Sequence, residues 1–220
     1  MERMYVDALR KIPLFSNVDN QDLERIAAAS VVRSFPKNSI VITEGDSSNS
    51  LYVILSGEVK VFVSDEDGKA NTISRYSAGD YFGELSLIDE EPRSASVETI
   101  SKCKIAILSR NYFVGYIERH PRVAISLLKG VSQRLRVTTD HARNLALMDV
   151  FGRIASVLLQ EAVEEQGRLI TPALTQQDIA DRVGSSREMV SRILKDLRAG
   201  EYISMDGKRI VINKNIPDRW

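Results

Sequence analysis

Apolar positions follow two different patterns along the chain. Between about residues 32 and 110, short apolar runs with period two are separated by glycine-containing turns. Three such runs cover residues 39–42, 51–55 and 59–63, followed by Gly45, Gly57 and the pair Asp67-Gly68. Short strands at regular spacing predict an all-β barrel or roll. A short helix is predicted before the roll, with Asn20 as its cap and Leu23 and Ile26 turned inward.

After Pro121 the apolar period changes from two to about three and a half. Apolar or small residues recur there at alternating steps of three and four, and basic residues lie off this seam. The seam positions are Leu128, Val131, Leu135, Thr138, Ala142 and Leu145. A sustained heptad seam predicts a coiled-coil contact between two helices, and therefore a homodimer. The alternative is a long helix that packs only on its own domain.

The C-terminal part has the pattern of two short helices around a glycine turn. A core helix is predicted over residues 151–159, and the acidic stretch 161–165 is interpreted as a solvated helix end. Thr175 with Asp178 predicts a capped helix that ends at Gly184, and Ser186 predicts the cap of a second helix over residues 187–197. Together these signals indicate a helix-turn-helix.

The second of these helices has one apolar and one polar face. Its outward polar residues predict base contacts in a major groove, where arginine pairs with guanine and glutamate accepts from cytosine. The candidate DNA-binding residues are Thr175, Gln176, Ser186, Arg187, Glu188, Ser191, Arg192 and Lys195. A hairpin wing is predicted from two strands around an Asp206-Gly207 turn. The alternative is an amphipathic helix whose charged face is simply solvated.

Charge and composition narrow the class of protein. The whole chain is neutral, with 30 basic and 30 acidic residues, whereas residues 168–220 carry ten basic and seven acidic residues, a net charge of +3. Although the neutral chain as a whole gives no sign of a nucleic-acid partner, the positive charge of this part is what binding to nucleic acid requires. The single cysteine, Cys103, excludes an internal disulfide and a multi-cysteine iron–sulfur site.

The sequence favours neither an enzyme nor a membrane protein. It contains no pairing of a nucleophile with a base and no cluster of metal ligands, and it has two histidines in all, so no catalytic and no metal-binding residues are expected. No leader segment and no apolar run of about 18 residues is found, which predicts a cytoplasmic protein without a membrane partner.

The segment from Gly79 to Ala95 carries the strongest chemical signal. Gly83 before a short helical turn offers backbone amides to an anion, and Arg93 supplies a fixed charge with fork geometry for a phosphate. Glu84 does not suit a phosphate, but its carboxylate can accept a hydrogen bond from a ribose hydroxyl. The combination predicts a site for a sugar phosphate that carries one negative charge.

Three separated motifs resemble the CRP/FNR family of transcription regulators, and within it the cyclic-AMP receptor branch, over about residues 13–213. The first motif is Gly83-Glu84-Leu85 through Pro92-Arg93-Ser94-Ala95. The second is Val137-Thr138-Thr139-Asp140 with Asn144-Leu145-Ala146 and Asp149-Val150, and the third is Ser186-Arg187-Glu188 with Arg192-Ile193-Leu194-Lys195.

The resemblance implies an α+β fold in three parts. These are a cyclic-nucleotide-binding β-roll (double-stranded β-helix) over residues 1–118, a dimerisation helix over 119–148 and a winged helix-turn-helix over 149–220. It implies that Gly83, Glu84, Arg93 and Ser94 hold the ribose and cyclic phosphate of cyclic AMP. Thr138 of one subunit and Thr139 of the other would reach the adenine. The remaining implied ligand-binding residues are Leu85, Arg134, Val61, Ile73, Ser74 and Ala95.

The resemblance also implies partners: double-stranded DNA with a palindromic promoter site of TGTGA-like half-sites, a second copy of the chain, and RNA polymerase. The segment 164–172 departs from the polymerase-contacting loop of the cyclic-AMP receptor branch. Two alternatives stay open from the sequence. One is the same fold with another effector, such as cyclic GMP, or with none, and the other is a nucleotide-sensing subunit that controls an enzyme.

Overall fold

A computed structural model describes residues 2–65 and 70–217, with side chains from residue 6 onward. The chain forms two compact units, Met1–Arg134 and Leu135–Trp220. The boundary lies inside one long helix, so the division into a roll, a separate dimerisation helix and a DNA-binding domain stays a prediction. The predicted Asp67-Gly68 turn lies outside the described residues.

The first unit is a β-roll flanked by helices. Its two antiparallel sheets contain four strands each, in the orders β1-β8-β3-β6 and β2-β7-β4-β5. The strands are β1 (Val31–Phe35), β2 (Ile40–Ile42), β3 (Ser50–Ser56), β4 (Glu58–Ser64), β5 (Ala70–Ser77), β6 (Tyr81–Phe82), β7 (Ser96–Thr99) and β8 (Cys103–Ser109). The helices are α1 (Glu2–Arg10), α2 (Asn20–Ala29), α3 (Leu85–Ile88) and α4 (Arg110–Arg119), with a 3-10 turn at Pro13–Phe15. The α+β class and the roll predicted from the sequence are confirmed.

The predicted N-terminal helix is present with a different cap. Leu23 and Ile26 of α2 are fully buried, as predicted. The cap is Asp19 and not Asn20, because Asp19 has extended backbone angles and its carboxylate accepts from the amide of Asp22 at 2.8 Å. Asn20 already lies within the helix, so the prediction was wrong by one residue.

The second unit contains the remaining helices and a four-stranded sheet of order β11-β12-β10-β9. After the end of the long helix come α6 (Val150–Glu161), β9 (Val163–Glu165), β10 (Arg168–Ile170), α7 (Gln176–Val183), α8 (Arg187–Ala199), β11 (Ile203–Asp206) and β12 (Arg209–Ile212). The helix-turn-helix and the wing are therefore present. Their shared core includes Ile154 and Leu158 of α6, Ile179 of α7 and Val190 of α8.

Two local predictions for this unit were incomplete or wrong. Glu161 ends α6 as predicted, but Val163–Glu165 form the strand β9 instead of a solvated helix end. This strand pairs with β10 around a Gln166-Gly167 turn in which both residues have positive φ. In the wing, Asp206 pairs with Arg209, so the turn is Gly207-Lys208 and not Asp206-Gly207. In both hairpins a glycine takes the left-handed position that the tight turn requires.

The long helix α5 (Pro121–Leu147) has two different apolar faces. Near its start, Val123 and Leu127 are buried in the core of the roll unit. Seam residues Leu128, Leu135 and Leu145 are exposed by 60, 66 and 54% of their surface. The helix therefore packs on its own unit through one face and leaves the predicted seam uncovered. In residues 2–65 and 70–217 no helix has the length and apolar composition needed to cross a bilayer.

Candidate functional site

A cavity in the roll brings together most of the predicted ligand residues. It lies where β6 leads into α3, and strands from the second sheet complete its wall. The lining residues are Ile42, Val61, Tyr76, Phe82, Gly83, Glu84, Leu85, Ser86, Arg93, Ser94, Ala95, Val97 and Arg134. The two predicted segments, Gly83–Leu85 and Arg93–Ala95, therefore line the same cavity.

Arg93 is a buried cation held by neutral oxygen atoms. Its side chain is 4% exposed, and burial lowers the pKa of the guanidinium from its ordinary value. Its nitrogens donate to the Ser48 hydroxyl at 2.8 Å, the Gly83 carbonyl at 2.6 Å, the Ser86 hydroxyl at 2.6 Å and the Ser50 carbonyl at 2.8 Å. Among the described residues no carboxylate forms an ion pair with it. A buried charge in this state favours an anionic ligand as its partner.

Gly83 is required by the close approach of Arg93. Its φ is +80°, a region that residues with a side chain rarely adopt. A Cβ atom there would lie 2.5 Å from Nη1 of Arg93 and 3.1 Å from the carbonyl oxygen of Ser50. The glycine thus serves both the backbone turn and the placement of the guanidinium.

The charged pair of the cavity joins the roll to α5. Arg134 donates to the buried Glu84 carboxylate at 2.6 Å and to the carbonyl oxygen of Tyr81 at 2.5 Å. Its guanidinium also lies 4.6 Å from the ring centres of both Tyr76 and Tyr81. Burial acts to lower the pKa of Arg134, but Glu84 and the two tyrosines raise it, and the net shift is upward. Because one carboxylate offsets one of two guanidiniums, the cavity keeps one net positive charge.

The other predicted ligand residues lie in different places. Ser74 is half-buried on β5 close to Tyr76, with which it shares a hydrogen bond. Ile73 is 42% exposed at a β-bulge, where Val61 pairs with Ser74 and Phe62 with Thr72, so it does not line the cavity. Thr138 and Thr139 follow Arg134 by one turn of α5 and are exposed in the second unit.

The helix-turn-helix has the local signals that the sequence predicted. Thr175 and Asp178 form both hydrogen bonds of a capping box at the start of α7. Gly184 ends that helix with φ +62°, and the Ser186 hydroxyl accepts from the amide of Met189 at the start of α8. The break and the new cap fix where the second helix begins.

The predicted DNA-binding residues of α8 share its outer face. Val190, Leu194 and Leu197 are buried beneath them. On the opposite side Arg187, Glu188, Arg192 and Lys195 are exposed, and Ser191 is half-buried. The cap residues Thr175 and Ser186 are exposed as well, and Gln176, the first residue of α7, is half-buried. This arrangement leaves the first two turns of α8 available to a DNA groove.

Comparison with known proteins identifies two domains in the chain. A model of the cyclic nucleotide-binding domain matches residues 32–120, and a model of the Crp-like helix-turn-helix domain matches residues 152–215. The chain is 33% identical over 212 residues to the CRP-like cAMP-activated global transcriptional regulator of Mycobacterium tuberculosis, covering 94% of this chain and 95% of that one. The chain belongs to the CRP/FNR family of transcription regulators.

Other members of the CRP/FNR family show the same likeness. The cAMP-activated global transcriptional regulator CRP of Salmonella typhimurium is 37% identical over 186 residues, covering 82% of this chain and 89% of that one. The solved structure of the c-di-GMP-responsive global regulator CLP of Xanthomonas campestris has a TM-score of 0.77 and 28% identity, covering 89% of this chain and all of that one. The family consists of transcription regulators and not of enzymes.

The sequence alone did not identify several residues that line the CRP/FNR-type cavity or hold its two arginines. The hydroxyls of Ser48 and Ser86 hold Arg93, and the rings of Tyr76 and Tyr81 enclose Arg134. Ser86 and Tyr81 are close to the predicted Gly83–Leu85 segment, and only this closeness could have indicated them. Tyr76 could have been placed by its period-two relation to Ser74 on a strand.

Proposed function

We propose that this CRP/FNR-family regulator is a homodimer that binds cyclic AMP in the roll and then reads a palindromic promoter site with α8. The observation that carries the proposal is the buried Arg93, whose partners are neutral, beside the Glu84–Arg134 pair. A cyclic phosphate supplies the missing negative charge, and Glu84 accepts a hydrogen bond from the ribose 2′-hydroxyl.

The charge of the cavity favours a cyclic mononucleotide. One net positive charge matches the single negative charge of cyclic AMP, whereas a cyclic dinucleotide carries two. The relatives from Mycobacterium tuberculosis and Salmonella typhimurium are named as cAMP-activated, and the Xanthomonas campestris regulator is described as responsive to c-di-GMP. Cyclic GMP and c-di-GMP are therefore the competing effectors that a titration must include.

The exposed seam of α5 supports the homodimer. Three exposed leucines at heptad positions form an apolar stripe that a second copy of the helix would cover. Thr138 lies on this stripe and Thr139 beside it, so in a dimer both subunits would present a hydroxyl to the adenine. A ligand held by both subunits would stabilise one arrangement of the dimer over others.

A homodimer with one α8 per subunit would read two inverted half-sites about one helical turn, roughly 34 Å, apart. Arg187 and Arg192, exposed in the first two turns of α8, suit guanine, and the exposed Lys208 of the wing turn suits the phosphate backbone. A regulator of this kind would act in the cytoplasm, where promoter DNA and RNA polymerase are found, and RNA polymerase is a further proposed partner.

Fluorescence anisotropy with labelled duplexes tests the proposal. A palindromic duplex with TGTGA-like half-sites and a scrambled duplex are titrated at fixed salt, without effector and with cyclic AMP, cyclic GMP or c-di-GMP. Cyclic AMP is expected to raise the affinity for the palindrome alone. Equal affinities throughout would contradict both sequence reading and gating, and a palindrome preference that ignores cyclic AMP would contradict the gating.

Substitution of Arg192 tests direct reading of the DNA. Arg192→Ala is expected to weaken binding to the palindrome by about 1 to 3 kcal/mol and to relax the preference at one guanine of each half-site. Lys208→Ala is expected to weaken all duplexes alike, because it removes a phosphate contact. Arg198→Ala, an exposed arginine in the last turn of α8, is the matched control. A uniform loss for Arg192→Ala would refute its role in base recognition.

A further inference from the structure

Tyr81, on the strand that leads into the cavity, forms a close contact with Gly130 of α5. Tyr81 is 5% exposed, and its hydroxyl has no hydrogen-bond partner in the described part of the protein. A Cβ atom at position 130 would lie under 3.0 Å from that hydroxyl oxygen, closer than real Cβ contacts come, and 3.4 Å from the ring carbon that bears it. The tyrosine therefore reaches the helix at the one place where the helix has no side chain.

The same face of α5 carries Arg134 one turn later. Arg134 touches the Tyr81 ring and its carbonyl oxygen, and it pairs with Glu84. Its two hydrogen bonds, at 2.6 Å and 2.5 Å, need α5 to stay close to the segment from Tyr81 to Glu84. A side chain at 130 would force either the buried Tyr81 ring or the helix to move until the new Cβ and the hydroxyl oxygen reached the 3.4 Å of ordinary contact, and either movement disturbs the surroundings of Arg134.

We propose that Tyr81 and Gly130 are positioning residues for ribose recognition, since their close fit sets the distance at which Arg134 holds Glu84 towards the ligand. This inference rests on the proposed binding of a cyclic mononucleotide. Glycine is a poor helix former, and Gly130 is not among the residues with positive φ, so the backbone gives no reason for a glycine here. The space taken by the Tyr81 hydroxyl supplies that reason.

A pair of substitutions separates this contact from a general effect on the helix. Gly130→Ala introduces the clash, and Tyr81→Phe removes the hydroxyl that causes it while keeping the ring and the backbone carbonyl. The double variant leaves the new methyl group 3.4 Å from the ring, an ordinary contact. Gly115→Ala is the matched control, because Gly115 lies within α4 and a Cβ there would meet nothing within 4 Å.

Calorimetric titrations with cyclic AMP and with 2′-deoxy cyclic AMP give the readout. The unaltered chain is expected to prefer cyclic AMP by roughly 10- to 100-fold, the range for a hydrogen bond to a charged group. Gly130→Ala is expected to reduce this preference to a few-fold at most, mainly by weakening cyclic AMP. The double variant is expected to recover the preference of Tyr81→Phe, and Gly115→Ala to keep that of the unaltered chain.

Thermal unfolding of the same variants without ligand tests the contact itself. Gly130→Ala is expected to lower the Tm of the chain that keeps Tyr81. In the chain that also carries Tyr81→Phe, it is expected to raise the Tm or leave it unchanged, so that the two substitutions are not additive.

The two experiments separate failure of the positioning role from failure of the proposed cyclic-AMP binding. An unchanged preference for the 2′-hydroxyl in Gly130→Ala, or a double variant that fails to recover it, would overturn the positioning role. An unaltered chain that binds no cyclic AMP would overturn the proposed function and this role together, while a non-additive unfolding cycle would still establish the contact.

Discussion

Arg93→Ala is expected to abolish cyclic-AMP binding at concentrations that saturate the unaltered chain. The guanidinium is buried, and no carboxylate of the described residues pairs with it, so its loss leaves a desolvated phosphate without a counter-charge. Removal of one member of a buried charge pair costs about 2 to 5 kcal/mol, which corresponds to an affinity loss between about 30-fold and about 4,000-fold. Isothermal titration calorimetry measures this loss directly.

Two further variants make the Arg93 result specific. Arg93→Lys keeps the charge but loses the planar fork that reaches several acceptors at once, and it is expected to bind with intermediate affinity. Arg33→Ala, on the exposed edge of β1, changes the net charge equally and is expected to bind normally. Because Arg93 also joins four neighbouring groups, circular dichroism must show a folded roll. A folded Arg93→Ala variant with near-normal affinity would refute the phosphate site.

The sequence predicted those parts of the fold whose signals are local. The capping box of Thr175 and Asp178, the break at Gly184 and the cap at Ser186 each act within four residues, and all are present. Three strands of the roll were recognised from short apolar runs with period two that lie between glycine-containing turns. Locally determined structure of this kind can be derived from one sequence because no distant contact is needed to select it.

The β9–β10 hairpin shows where local signals fail. Each of its strands has three residues, and β9 has two glutamates among them. An acidic segment after a helix has the composition of a solvated helix end. It becomes a strand here because β10, its partner, is itself paired with the distant strand β12. Short strands are specified mainly by their partners, which a pattern along the chain does not contain.

The candidate site divides in the same way. Gly83, Glu84 and Arg93 were found because they lie in one segment with a recognisable chemical logic. Tyr76 lies on another strand and Ser48 in a loop, and only the closed roll brings Tyr76 to the cavity and Ser48 to Arg93. The bulge at Ile73 depends on how β5 pairs with β4, which the pattern along one strand does not show. Because the bulge adds one residue to the strand, it reverses which side chains face inward and turns Ile73 away from the cavity.

The second large effect is expected at the seam of α5. Leu135→Asp should convert the proposed dimer into monomers, because two carboxylates would face each other in a contact that, as proposed, buries leucine in the unaltered chain. Leu135 is 66% exposed in the single chain, so the substitution is not expected to unfold the roll. An uncompensated buried charge costs about 3 to 5 kcal/mol, enough to shift the equilibrium at micromolar concentrations. Sedimentation velocity measures the change of mass.

Val137→Asp separates the effect of the seam from that of a new charge on α5. Val137 is 45% exposed and lies off the heptad positions, so this variant should remain dimeric. A dimeric Leu135→Asp variant would show that the subunits meet elsewhere.

The monomeric Leu135→Asp variant also tests how the ligand is shared. Glu84, Arg93 and Arg134 belong to one subunit, so a monomer should still bind cyclic AMP and should still prefer it over its 2′-deoxy analogue. Only the contact proposed for Thr139 of the second subunit would be lost, which predicts a moderate fall in affinity. A monomer that lost the 2′-hydroxyl preference as well would show that dimerisation is needed to form the ribose site, and not only to complete the adenine site.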